Sequence, residues 1–336
     1  MGAPVPSPSH PYPLDQEFVS SRSVVQPSFT SANPHASRPH MISYDAKGWI
    51  PLTFAYRGTI IPRVVTRIAS LGLLTVLVLL VREFVPGSES VLKQFKPLGH
   101  LLIGVALGLL IVFRNNCSYD RYWEGRKLWG GIVNSSRNLM REAAAFAGGV
   151  SDLAGLVTAY PLALKQHLRG NKDLEEIRSL VPTAVFDHMS SASNPPSILA
   201  YYMTVWIRDR LAAGKFDSFT AQSLELNVRA FLDMQGGCER ILRTPIPFAY
   251  AVHIKQLLLL YLISLPFILI VELNWVAIPT VAVIAFGLLG IEEAGVEIED
   301  PFGDDPNDLP LDAISATIGR DAQGLSDAPK RADQAM

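Results

Sequence analysis

The sequence has only two cysteines, Cys117 and Cys238, and no surplus of either charge: 29 Lys and Arg stand against 31 Asp and Glu, a net charge of −2. Two thiols cannot build a disulfide framework or, alone, a structural zinc site. A near-neutral chain lacks the basic field that a nucleic-acid partner requires. Also missing are an HExxH helix, a Walker loop, a dinucleotide fingerprint and a nucleophile elbow. His167, His188 and His253 are scattered, without a Cys or carboxylate at ligand spacing, and read as capping or surface residues. With no nucleophile–base pair and no metal set, the chain does not read as an enzyme. No secretory leader opens it.

What the chain has instead is apolar length. Hydrophobic residues make up 49% and the mean hydropathy is +0.23, unusual for a soluble domain of this size. Four apolar runs stand out: Ile68–Val81, Leu98–Phe113, Leu257–Val271 with Pro266 inside, and Trp275–Ile291 with Pro279 inside. Each falls short of the roughly 20 residues a span needs, so polar flanks that snorkel must complete it. The expected spans are 66–83, 98–116, 254–272 and 275–292. Arg57, Arg63 and Arg67 precede the first, and Arg114, Arg121, Arg126 and Lys127 follow the second, whereas the loop between these two holds Arg82, Lys93 and Lys96. The positive-inside rule then places both termini and the long middle region in the cytoplasm of a multi-pass protein of a cell membrane, plasma or inner, with the lipid bilayer as a partner.

Residues 1–40 are rich in Pro and Ser and lack apolar periodicity, which predicts a disordered tail. Residues 117–252 repeat apolar positions at three and four, with breaks at Gly170-Asn171, Asn194-Pro195-Pro196 and Gly214, and predict an all-α cytoplasmic region. The segment Glu292–Asp312 carries nine carboxylates and no basic residue around the turn Pro301-Phe302-Gly303. Asp304, Asp305 and Asp308 there are oxygen donors of the type a hard cation such as Ca²⁺ takes, though a solvated charge run has the same composition. Residues 313–336, with their Gly, Asp and Ala, read as a second disordered tail.

The stretch Leu98–Gly131 organises the rest. It starts as an uncharged apolar run and turns polar at Arg114, with no Pro inside, so one helix is expected to leave the bilayer and continue into water. Val105, Leu109 and Phe113 keep a four-residue spacing and share one helical face. Every membrane helix has such a face, and lipid can cover it; lining a narrow ion path instead, it would gate by dewetting. Gly104 and Gly108 form a small-xxx-small packing pair.

Several motifs in order make the sequence resemble the bestrophin family, in its bacterial and fungal branch: YDAKGW at 44–49, YRGT at 56–59, FRNNCSYDRYWEGRKLWG at 113–130, ALKQHLRG at 163–170, QGGCERILRTPIPFAY at 235–250 and IEDPFGDDPNDLPLD at 298–312. The resemblance implies one bestrophin-like channel domain over 41–312 and an all-α integral membrane fold with four transmembrane helices per subunit. It also implies a homopentamer around a central pore. The family's hydrophobic neck falls on Val105, Leu109 and Phe113, and its cytosolic aperture near Phe219. Its calcium clasp falls on Asp305 and Asp308 with Glu297 and Asp300 upstream, although Pro306 and Asn307 interrupt the acidic run. No cofactor beyond Ca²⁺ is suggested. The expected activity is passive conduction of chloride and other small monovalent anions, with Arg114, Arg121, Arg126 and Lys127 orienting the helix and raising local anion concentration. The alternatives are a monovalent cation channel of the same build and a non-conducting membrane scaffold or regulatory subunit.

Overall fold

The computed structural model describes residues 49–335; the expected tail over 1–40 and the motif residues 44–48 lie outside them. Among the described residues the chain is helical, with no strand. The helices, in order, are α1 (Trp49–Thr53), α2 (Ile61–Phe84), α3 (Ser88–Leu92), α4 (Pro97–Phe146), α5 (Ser151–Leu168), α6 (Thr183–Ser191), α7 (Pro195–Ala212), α8 (Ser218–Arg243), α9 (Phe248–Leu273), α10 (Ala277–Glu297) and α11 (Leu311–Ala335).

The spine is α4, 50 unbroken residues, or about 75 Å at 1.5 Å per residue. Pro97 sits in its first turn, where a missing N–H costs nothing, and no later Pro interrupts it. Its first half joins α2, α9 and α10 in one apolar core through Leu107 and Ile111, which meet Val64, Ile254, Leu258, Val281 and Ala285. Its second half enters a separate core with α5 to α8 and α11, where Trp129, Ile132, Leu139 and Met140 pack with Tyr160, Met203, Phe231 and Ile318. One helix therefore belongs to two cores, and any rotation of it is felt in both.

Three helical stretches, Ile61–Phe84, Pro97–Phe146 and Phe248–Glu297, are long and apolar enough to cross a membrane. The third is a hairpin. Asn274, with φ 51° and ψ −130°, ends α9, and Lys255 Nζ lies 3.7 Å from Glu292 Oε1, so α10 runs back along α9. Arg82 at the end of α2 donates to the Ile270 carbonyl at 2.8 Å and to the Asn274 side chain, satisfying polar groups that the reversal frees. Every apolar run is longer as a helix than as a hydrophobic segment, because backbone hydrogen bonding does not stop where the apolar residues do.

The expected breaks occur where the residues placed them. Asn194 caps α7 by accepting from the Ser197 N–H at 3.3 Å, while Gly170 and Gly214 follow α5 and α7 with φ of 64° and 67°. The expected disorder over 313–336 is corrected among the described residues: α11 runs through this segment to Ala335. Leu311, Ile318 and Ala322 are buried, with Ile314 and Leu325 packed beside them, a narrow stripe of three- and four-residue spacing. Small residues between the stripe positions lower the mean hydropathy and hid the pattern from composition.

Candidate functional site

Val105, Leu109 and Phe113 lie on α4 and are 68%, 57% and 54% exposed in the isolated subunit. The opposite side of the same turns holds Leu107, Ile111 and Arg114, all nearly inaccessible. The helix thus buries one face in its own subunit and leaves the other uncovered over about 12 Å. Beyond Phe113 this face continues through the exposed Asn116, Asp120, Trp123 and Lys127, so it changes from apolar to polar without leaving its line. Of the two glycines, Gly104 makes a close approach, since a Cβ there would meet the Tyr261 hydroxyl at 2.9 Å, whereas Gly108 has no neighbour within 4 Å.

Directly behind the face is a buried ion cluster. Arg114 is 2% exposed. Its Nη1 donates to the Glu292 carbonyl at 3.0 Å and to Glu292 Oε1 at 3.1 Å, while Nη2 lies 3.4 Å from Glu299 Oε2. A guanidinium buried this far needs counter-charge and acceptors, and α10 supplies both. Asn115 donates to the Ile291 carbonyl at 3.1 Å. Gly295 lets the two helices approach: a Cβ there would fall 2.1 Å from Asn115 Oδ1. Arg121 donates to the carbonyls of Glu299 at 3.0 Å and Ile241 at 2.7 Å. Arg114 and Arg121, expected to orient the helix and raise local anion concentration, are engaged in holding α4 to its neighbours. Arg126 and Lys127 keep exposed charges with no ion pair among the described residues.

The acidic segment after α10 is a docking turn. Phe302 is buried, and it packs with Pro301 on Gly125 of α4, where a Cβ would meet the two rings at 3.1–3.2 Å. Cations surround the carboxylates. Arg63 Nη2 is 3.0 Å from Asp305 and Nη1 is 3.7 Å from Glu297; Arg169 is 3.2 Å from Asp304, and Lys165 is 2.8 Å from Asp312. Asp300 accepts from the Phe302 N–H at 3.2 Å. Asp308 Oδ2 accepts from the Asp305 N–H at 2.7 Å, while its Oδ1 is buried without a partner. Burial, then the neighbouring Asp305, Asp300 and Glu297, push the Asp308 carboxyl up to about 7. Lys165 and Arg169, both from the ALKQHLRG motif, hold the turn, a role that sequence reading did not assign to them.

Phe219 is 83% exposed in the first turn of α8. That end of α8 lies beside Glu142, which accepts from Ser223 Oγ at 2.9 Å. Phe219 is thus near the far end of α4, roughly 40 Å along the helix from Phe113. Among the described residues no three His, Cys, Asp or Glu side chains converge as metal ligands.

Apolar helices able to cross a bilayer, one of them continuing into a helical body, define a helical membrane protein. The chain belongs to the bestrophin family: the profile described as Bacterial/Fungal Bestrophin protein matches residues 41–323. It is 39% identical over 289 residues to a voltage-dependent anion channel-forming protein of Nostoc sp., covering 83% of this chain and 92% of that one. Its identity to a protein of the same description from Synechocystis sp. is 35% over 303 residues, covering 86% and 95%. The fold superposes on a bacterial bestrophin homolog from Klebsiella pneumoniae with a TM-score of 0.74 at 26% identity, over 78% of this chain and 98% of that one.

Proposed function

We propose that the chain is the subunit of a passive ion channel that conducts chloride and other small monovalent anions through a homopentameric pore. In this reading α2, the first part of α4, α9 and α10 are four spans of a cell membrane. Both chain termini and the helical body then lie in the cytoplasm, a reading that the placement of Lys and Arg supports. The observation that carries the reading is the uncovered face of Val105, Leu109 and Phe113 on a helix whose opposite face, Leu107, Ile111 and Arg114, is buried. Five such faces around an axis make a dry constriction that passes ions only when it widens or wets. Phe219 is assigned to a second, cytosolic narrowing. The anion assignment is supported by the names of the relatives and by the open charges of Arg126 and Lys127, next to Trp123 on the polar continuation of the face.

The monovalent-cation alternative draws on a specific feature. The neck has no charged side chain, and Arg114, the nearest cation, is turned away into Glu292. The scaffold alternative predicts no flux at all. Replacing Val105, Leu109 and Phe113 together by Ala widens the neck, and chloride flux from proteoliposomes is expected to rise several-fold. Flux equal to the wild type would remove these residues from the gate.

A further inference from the structure

We propose that Arg63 is the resident cation of the acidic turn 297–308, and that the turn closes on the start of α2 with this side chain in place of a calcium ion. Glu297 is almost fully buried at its carboxylate, with 6% side-chain exposure, and Arg63 reaches it at 3.7 Å while also holding Asp305 at 3.0 Å. A buried carboxylate must find a counter-charge, and the chain brings one from 234 residues away in sequence.

The chemistry of the remaining donors points the same way. Calcium takes six to eight oxygens at 2.3–2.6 Å. Here Asn307, one of the two residues that interrupt the acidic run, turns its amide N–H groups toward the cluster. Nδ2 donates to Glu297 Oε1 at 3.0 Å and to the Gly58 carbonyl at 3.2 Å. Two oxygens that a metal would need therefore already accept hydrogen bonds. Asp304 and Asp312 are likewise engaged, by Arg169 and Lys165. Among the described residues, the one buried acceptor of the turn left without a partner is Asp308 Oδ1, and one buried oxygen does not make a calcium site. The same contacts tie the YRGT motif at the foot of α2 to the turn that packs on α4, so a closed turn joins two membrane helices from the cytosolic side.

This inference rests on the channel reading only for its consequence, which is flux that does not respond to calcium. The binding claim is tested without flux. Purified full-length protein is heated in EGTA and in millimolar CaCl₂, and binding of radioactive calcium is measured in parallel. The wild type is expected to show the same unfolding midpoint in both and no saturable binding. Arg63→Gln, which leaves Glu297 and Asp305 without their cation, is expected to unfold several degrees lower in EGTA and to regain part of the loss with calcium. Arg63→Lys, which keeps the charge, is expected to stay calcium-insensitive. Saturable micromolar calcium binding by the wild type would overturn the proposal, as would an Arg63→Gln protein as stable in EGTA as the wild type. If Arg63→Gln does not fold, the wild-type and Arg63→Lys measurements still decide. Protein that behaves as predicted here but conducts nothing would refute the channel and leave this inference standing.

Discussion

Removing Arg114 should be among the costliest single changes in the membrane part of the protein. The side chain and its partner Glu292 are 2% and 3% exposed, so Arg114→Gln leaves a buried carboxylate without its main counter-charge. Breaking a buried pair in this way costs about 3–5 kcal/mol. Lys255, 57% exposed and 3.7 Å from Glu292, is a partial substitute, which places the expected cost toward the lower end. At about 2–4 °C per kcal/mol for folded units of 150–250 residues, the unfolding midpoint of purified protein should fall by roughly 10 °C. The assay is size-exclusion chromatography after heating, applied as a double-mutant cycle with Glu292→Gln. The two single variants should each lose more than half of what the double variant loses, because the pair acts as a unit. Replacing both residues by Met should recover most of the midpoint, since an apolar pair removes the desolvation cost as well. An Arg114→Gln midpoint within 2 °C or so of the wild type, or strictly additive single losses, would refute the argument that this cluster clamps α4.

Two other outcomes follow from the same geometry. Asp308 has its folded-state carboxyl pushed up to about 7 by burial and by Asp305, Asp300 and Glu297, above the unfolded value near 3.8. The folded state therefore holds the proton more tightly, so this residue's contribution falls as pH rises from about 4 to about 7 and stays unfavourable above it. Asp308→Asn should raise the unfolding midpoint at pH 8 and have little effect at pH 4, read by a heating series across pH; an equal effect at both would contradict the assignment. Gly295→Ala puts a methyl 2.1 Å from Asn115 Oδ1, and overpacking of this kind costs about 1–3 kcal/mol. Despite the better helix propensity of Ala, the variant should be less stable than wild type, and Asn115→Ala in the same chain should restore most of the loss.

The sequence pattern led directly to the helices. Apolar runs, the proline-free polar continuation at Arg114 and the Gly and Asn-Pro breaks are local signals, and each is matched by a helix or a helix end. The shared face of Val105, Leu109 and Phe113 was legible for the same reason, since helical period alone puts them together. The partners of charged residues were not legible, because they depend on elements far apart in the chain. Nothing local to Arg114 points to Glu292, nor anything local to Arg63 to Glu297 and Asp305. The acidic segment shows the cost of this: its composition matches a cation site, and only the fold reveals that Arg63, Lys165 and Arg169 already neutralise it. The last helix was missed for another reason, a stripe of Leu, Ile and Ala too narrow to raise the local hydropathy.

The most direct test of the account is the reversal potential of purified protein in a planar bilayer under a tenfold gradient of KCl. The account predicts single-channel currents that reverse close to the chloride equilibrium potential and shift when chloride is replaced by a large impermeant anion. Reversal at the potassium potential would reassign the pore to cations, and a bilayer with no currents at all would contradict the channel.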